Sequence, residues 1–344
     1  GKNVTTQVLI CDDSGFARRQ MARSIPDGWD VDIAFAENGQ QAIDLIREGK
    51  GDVLFLDLNM PVMDGYETMA YIRQNDLPCL VIVVSGDVQA QARSKMLSLG
   101  AIDFIRKPID NEKLSDILNA YGIYSGDKQA SDRHAAPASV DNLTLEDQFD
   151  AYREMVNIAM GRAGENLAEL FGEFIDLPIP NVNLLESNEL SMAIAEINSK
   201  DSVSAVSKGF VSAGVGGEAL VIFNDTNSQN IVQLLKYENY QSSGNVELEA
   251  LMDVSNILIG ACLNGLSEQL NLSFSHTHPV LLGQHQGLSA LLSDNVKQWG
   301  KVMAIEIGYA IKSRNIAFDL LLLFPDAAMN EIYARLVETN RDVN

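Results

Sequence analysis

The chain has 344 residues, 46% of them hydrophobic and 21% charged, and a formal net charge of −22. At about 150 residues per domain, this length predicts two globular domains, each burying a real core. No apolar run reaches the ~18 residues that a membrane-crossing helix needs, and the start, Gly1-Lys2-Asn3, has no signal-like core.

The first 124 residues alternate strand and helix patterns five times. Gln7 to Cys11 is an apolar run leading into Asp12-Asp13, and Val53 to Leu56 leads into Asp57. Leu80 to Val84 leads into Ser85, and Ala101 to Arg106 leads into Lys107-Pro108. In an open parallel sheet the carboxyl ends of the strands share one edge, where ligands bind. That topology would gather residues almost a hundred positions apart. Three carboxylates make a hard oxygen site suited to Mg²⁺, and one of them can act as a nucleophile toward phosphorus. A lysine and a hydroxyl can hold the oxygens of the acquired phosphoryl group.

The stretch Asp57-Leu-Asn-Met-Pro-Val-Met-Asp-Gly65, with Arg106-Lys107-Pro108, resembles the response-regulator receiver domain. The resemblance implies a flavodoxin-like (βα)5 fold around a parallel sheet, with Asp57 as phosphoacceptor. It gives Asp12, Asp13, Asp57 and the backbone carbonyl of Asn59 to Mg²⁺, and Ser85 and Lys107 to the phosphoryl group. Phe104 takes the position of the aromatic that turns inward when Ser85 moves. Many receivers carry tyrosine there, so Phe104 can report by burial but not through a hydroxyl. A sensor histidine kinase is the implied phosphodonor, and active receivers often pair through the face near Phe104 and Lys107.

Ser125 to Asn142 has almost no large apolar residues and reads as a flexible, solvated linker carrying His134. The expected organisation is residues 1–124, a linker over 125–142, and a second domain over 143–344. That second part holds 26 acids against 11 bases. A nucleic-acid-binding output needs a basic face to release counterions from phosphates, so the charge excludes one. Cys11, Cys79 and Cys262 lie in apolar segments and read as reduced, buried thiols of a cytoplasmic protein, not as a disulfide frame or metal cluster.

The second domain contains an internal repeat, about 143–241 and 242–340. Asn157 and Asn256 lie 99 residues apart, as do Pro180 and Pro279, whereas Ala219-Leu-Val-Ile-Phe223 and Leu320-Leu-Leu-Leu-Phe324 are offset by 101. Each half reads as a long helix, a strand near the proline, a short helix, two strands and a closing helix. Val203 to Val211 with Glu218 to Phe223, and Lys301 to Lys312 with Ile316 to Phe324, look like hairpin pairs. The expected fold is a pseudo-twofold α/β domain with a mainly antiparallel sheet.

Asp150, Glu154 and Asn157 fall at i, i+4 and i+7 and so share one helix face. The pattern Asp-x3-Glu-x2-Asn-x22-Pro, ending at Pro180 and supported by Gly161 and Ala163, resembles the signature of the CheC/CheX/FliY family. Those proteins are phosphatases of the phosphorylated receiver CheY. The resemblance implies that Asn157 orients the attacking water and that Glu154 pairs with the receiver's phosphate-binding lysine. The second half keeps Asn256 and Pro279 but has Asp253 for the glutamate and Glu249 for the first acid. Asp253 is one methylene shorter, which leaves the activity of a second site open.

Gly216-Gly-Glu-Ala-Leu220 is read as a turn before a strand, not a cyclase signature, and His276, His278 and His285 as surface or strand positions, not a metal set. Together these readings give a two-component response regulator whose output hydrolyses aspartyl phosphate on CheY-like receivers, in trans or on its own receiver in cis, within chemotaxis-type signalling. The rival is a non-catalytic module that holds a CheD-like protein or a flagellar switch component when Asp57 is phosphorylated. Neither reading involves nucleic acid or membrane insertion.

Overall fold

The computed structural model describes residues 5–126, 144–197, 203–236, 246–286, 296 and 298–342; the predicted linker and His134 fall almost wholly outside them. The chain divides into two compact units, residues 1–158 with 338–344, and residues 159–337.

In the first unit β1 (Thr6–Cys11), β2 (Val31–Ala36), β3 (Val53–Leu56), β4 (Leu80–Ser85) and β5 (Asp103–Arg106) form a sheet in the order β2-β1-β3-β4-β5, parallel throughout. Between them run α1 (Gly15–Ser24), α2 (Gly39–Arg47), α3 (Gly65–Gln74) and α4 (Ala90–Ser98), and α5 (Asn111–Ala120) follows. The inner strands β1, β3 and β4 are mostly buried, which is why they read as continuous apolar runs, whereas the edge strand β2 is partly exposed. Val8, Ile10, Phe55, Ile82, Val84 and Ile105 pack with Trp29 and Leu118 on one side; full burial of such side chains is worth about 1.5–3 kcal/mol each. The helix starts are set locally: Ser14 accepts from the Ala17 amide, Asn38 from Gln41, and Asp64 with Glu67 makes a capping box.

A long helix, α6 (Leu145–Phe171), begins in the first unit and runs into the second. There follow β6 (Asn181–Glu186), α7 (Ser187–Ile197), β7 (Val203–Ser212), β8 (Val215–Asn224) and α8 (Asp225–Leu235). The second half gives α9 (Val246–Leu270), a short β9 (Ser275–His276), β10 (Val280–Gln286), β11 (Lys301–Ile311), β12 (Ile316–Pro325) and α10 (Met329–Asp342). The sheet order is β10-β7-β8-β12-β11-β6, with β9 also on β7, and every pairing is antiparallel. The expected α/β architecture, parallel sheet first and antiparallel sheet second, is therefore what the chain adopts.

The repeat is visible in the register. Leu220 sits opposite Leu321, its own mate at the 101-residue offset, so a pseudo-twofold axis passes between β8 and β12. Each half lends its outer strand to the other: β6 pairs with β11, and β10 with β7. The sequence offset grows from 99 to 101 because the first hairpin turns through Ala213-Gly214, whereas the second needs Lys312 to Asn315. Both faces of the central strands are covered. Val203, Ala205, Leu220, Ile222, Leu321 and Leu323 pack toward Leu190, while Phe223, Phe318 and Tyr309 form a ring stack among the alternate residues. Gly216 and Gly217 lie inside β8, paired with Val211 and Phe210, so the turn precedes them and the reading of these two glycines as the turn itself is corrected. Among the described residues no helix is long and apolar enough to cross a membrane.

Candidate functional site

The carboxyl edge of the first sheet gathers the residues at its strand ends. The Asp12 amide donates to Ala36 O at 3.0 Å and the Asp57 amide to Cys11 O at 3.0 Å, while the Lys107 amide donates to Ser85 O at 2.9 Å. The strands thus set the backbone of each acid and of the lysine. Lys107 Nζ lies 2.7 Å from Asp12 Oδ2 and 3.9 Å from Asp57 Oδ1, and Lys107 is 6% exposed. Ser85 is buried and its hydroxyl accepts from the Asp87 amide at 2.9 Å. Phe104 is buried in β5. Asn59, two residues beyond Asp57, is half-buried.

The N-terminal half of α6 completes this site within the same unit. Glu154, 1% exposed, places Oε1 2.8 Å from Lys107 Nζ. One turn earlier, Asp150 Oδ2 accepts from the Phe16 amide at 2.9 Å, satisfying a free donor at the start of α1. Ile158 lines the pocket together with Asp12, Asp57 and Lys107. Glu154 Oε2, Asn157 Oδ1 and Asp13 Oδ1 are buried and have no hydrogen-bond partner among the described residues. Each such orphaned atom costs about 1–3 kcal/mol, a burden that a polar guest would relieve.

The electrostatics tell the same story. Asp12, Asp13, Asp57 and Glu154 surround a single ammonium. Burial, with Asp12 next to it, pushes the Asp57 carboxyl well above its ordinary range, opposed by Lys107. Burial and then Asp12 raise Asp13 to about 7, and burial raises Glu154 to about 8. Burial alone would lower Lys107, but Asp12, Asp57 and Glu154 hold it well above its usual value. One oxygen from each of Asp12, Asp13 and Asp57 lies within 4.8 Å of the others. The surplus of carboxylate over cation and the orphaned Asp13 oxygen fit a hard divalent ion such as Mg²⁺.

In the second unit Glu249, Asp253 and Asn256 are exposed on α9. His276 and His278 are exposed, and the side chain of His285 lies outside the described residues; among the described residues the only His/Cys/acid group with metal-binding geometry is that of Asp12, Asp13 and Asp57. Burial pushes the Cys262 and Cys79 thiols up to about 12, and the Cys11 thiol higher still, so none is poised as a nucleophile. The contribution of Asp150 to the Phe16 amide was not legible as a site contact. Its only signal is its place one turn before Glu154 on the same face.

Residues 8–119 match the response regulator receiver domain model. The protein-glutamate methylesterase/protein-glutamine glutaminase of Bacillus licheniformis is 39% identical over 120 residues, 33% of this chain and 33% of that protein. The chain thus spans about a third of the length of the methylesterase relatives it matches. The chemotaxis protein CheY of Bacillus subtilis is 32% identical over 114 residues, 33% of this chain and 94% of that protein. Among solved structures, Thermotoga maritima FliY resembles the chain with a TM-score of 0.44 at 18% identity, over 58% of this chain and 99% of that one.

Proposed function

The chain belongs, through residues 8–119, to the response-regulator receiver family, and on that premise we propose that it is a regulator phosphorylated on Asp57 whose second part hydrolyses receiver aspartyl phosphate. The observation that carries the reading is the Glu154 carboxylate on Lys107 at 2.8 Å, with Asn157 on the next turn of the same helix face. The CheC-type signature over residues 150–180 supports it independently.

A sensor histidine kinase supplies the phosphoryl group. Asp12, Asp13, Asp57 and the Asn59 carbonyl would hold Mg²⁺, which when bound would supply positive charge for the phosphoryl oxygens. Lys107 and Ser85 hold those oxygens by charge-assisted hydrogen bonds. Asn157 presents a fixed carboxamide, with one donor and one acceptor, to orient a water. The water oxygen bonds to phosphorus as the bond from phosphorus to the Asp57 oxygen breaks. Its electron pair stays on the Asp57 carboxylate, one water proton remains on the released phosphate and the other goes to solvent. An acyl phosphate is already activated, so orientation of the water supplies much of the acceleration. Asp253 and Asn256 repeat the pair on α9 with a shorter acid, and the likeness of the receiver part to chemotaxis proteins supports CheY-like receivers as the substrate class.

The test is the lifetime of phosphate on the full chain charged with acetyl phosphate. Asn157→Ala, alone and with Asn256→Ala, should retain phosphate at least tenfold longer than the parent. Equal lifetimes in parent and double variant would leave α6 as a non-catalytic cover for the pocket and sink the hydrolase.

A further inference from the structure

The pocket around Asp57 and the helix face bearing Glu154 and Asn157 belong to one compact unit of one chain. We infer that the substrate of the first site is the chain's own phosphorylated receiver, reached in cis by the N-terminal half of α6. This rests on the hydrolase reading and specifies which receiver that site serves.

Four separate contacts place the helix over the pocket. Asp150 Oδ2 takes the Phe16 amide at the start of α1, and Glu154 Oε1 takes Lys107 Nζ. Ile158 joins the pocket wall. The fourth contact is between backbones: a Cβ on Gly86 would stand 3.1 Å from Asn157 O and 3.5 Å from Ile158 Cα. Gly86 follows Ser85, and its lack of a side chain lets α6 come this close. The helix is therefore seated at both ends of the active face, with Asn157 between Glu154 and Ile158.

Occupancy is exclusive. The Glu154 carboxylate that pairs with Lys107 is buried, and a lysine from a second receiver cannot reach it while that pair holds. Covalent linkage sets the local concentration of the helix at the pocket in the ~mM range, a level that a separate receiver must match to compete. The first site thus acts as a clock built into the chain, setting how long Asp57 keeps its phosphate.

The experiment uses full-length chains in an Asn256→Ala background, charged with acetyl phosphate and cleared of it, with protein-bound phosphate followed over time. The expected result is first-order loss with a rate constant unchanged over a hundredfold range of protein concentration. A chain with Asn157→Ala should lose phosphate at least tenfold more slowly, and a second chain carrying Asp57→Ala with Asn157 intact should not restore its loss. Gly86→Val should also lengthen the lifetime by keeping α6 away. A rate constant that climbs with concentration, or rescue by the Asp57→Ala chain, overturns the cis assignment while leaving the hydrolase reading in place. Loss unaffected by Asn157→Ala at every concentration overturns both.

Discussion

Helices α6 and α9 carry the same three polar positions at the same spacing, yet in α6 the middle acid is buried against Lys107 while all three positions of α9 are exposed. Asp150, Glu154 and Asn157 meet an amide, a lysine and a glycine of the receiver unit, and Glu154 is 1% exposed. Glu249, Asp253 and Asn256 are exposed on α9. The duplication thus preserved a pattern while separating its surroundings. A one-methylene difference, glutamate against aspartate, falls at the position that reaches for a lysine.

The sharpest way to break this comparison is to remove the carboxamides one at a time. Asn157→Ala is expected to slow phosphate loss from the chain by about a hundredfold, in line with the value of orienting one water, whereas Asn256→Ala should change it less than twofold. Equal effects in the two phosphate-release assays would erase the asymmetry.

A second perturbation acts where the helices cross. A Cβ on Gly265 of α9 would stand 2.8 Å from Ala159 Cα in α6, so Gly265→Val should cost about 1–3 kcal/mol by overpacking. Urea denaturation of parent and variant checks this, and an unchanged midpoint would mean the helices can part freely.

The two hairpins offer a third contrast. In the first, Ser207 Oγ donates to Glu218 at 2.7 Å; at the matching place in the second, Glu306 faces Asp319. Burial, and then Glu306, raise the Asp319 carboxyl to about 6. Its ionisation in the folded state is therefore disfavoured, so stability should fall as pH rises from about 4 to about 6. Glu306→Ser should add about 1 kcal/mol at neutral pH, and the gain should vanish below pH ~4. Thermal melts across that range decide the matter.

The smallest expected effect comes from lengthening the short acid. Asp253→Glu should raise the rate at which a full chain removes phosphate from a separate Asn157→Ala, Asn256→Ala chain, by about threefold or roughly 0.7 kcal/mol. No change would mean that reach is not what separates the two faces.

Much of this was legible in the sequence because the chemistry sits where local patterns end. Asp12, Asp57, Ser85 and Lys107 each follow an apolar run, and a parallel sheet has only one edge to put them on. The repeat and its hairpins were equally plain. Other features depend on tertiary neighbours that leave no local trace. Nothing around Asp150 announces a bond to the Phe16 amide, 134 residues away. Gly216 and Gly217 look like turn residues until Phe210 is found opposite Gly217 in the ladder. The shift in offset from 99 to 101 was visible, but its cause, a longer second turn, appears only once the strands are paired.

The exchange of outer strands between the halves reaches back to the protein's synthesis. β7 waits for β10, made on the order of 70 residues later, and β6 waits for β11, over a still longer stretch of chain. A ribosome extending this chain therefore exposes unsealed sheet edges for several seconds at ~5–20 residues per second. Neither half can ripen alone, and a chain cut between them would yield two fragments, each holding the strand that the other lacks.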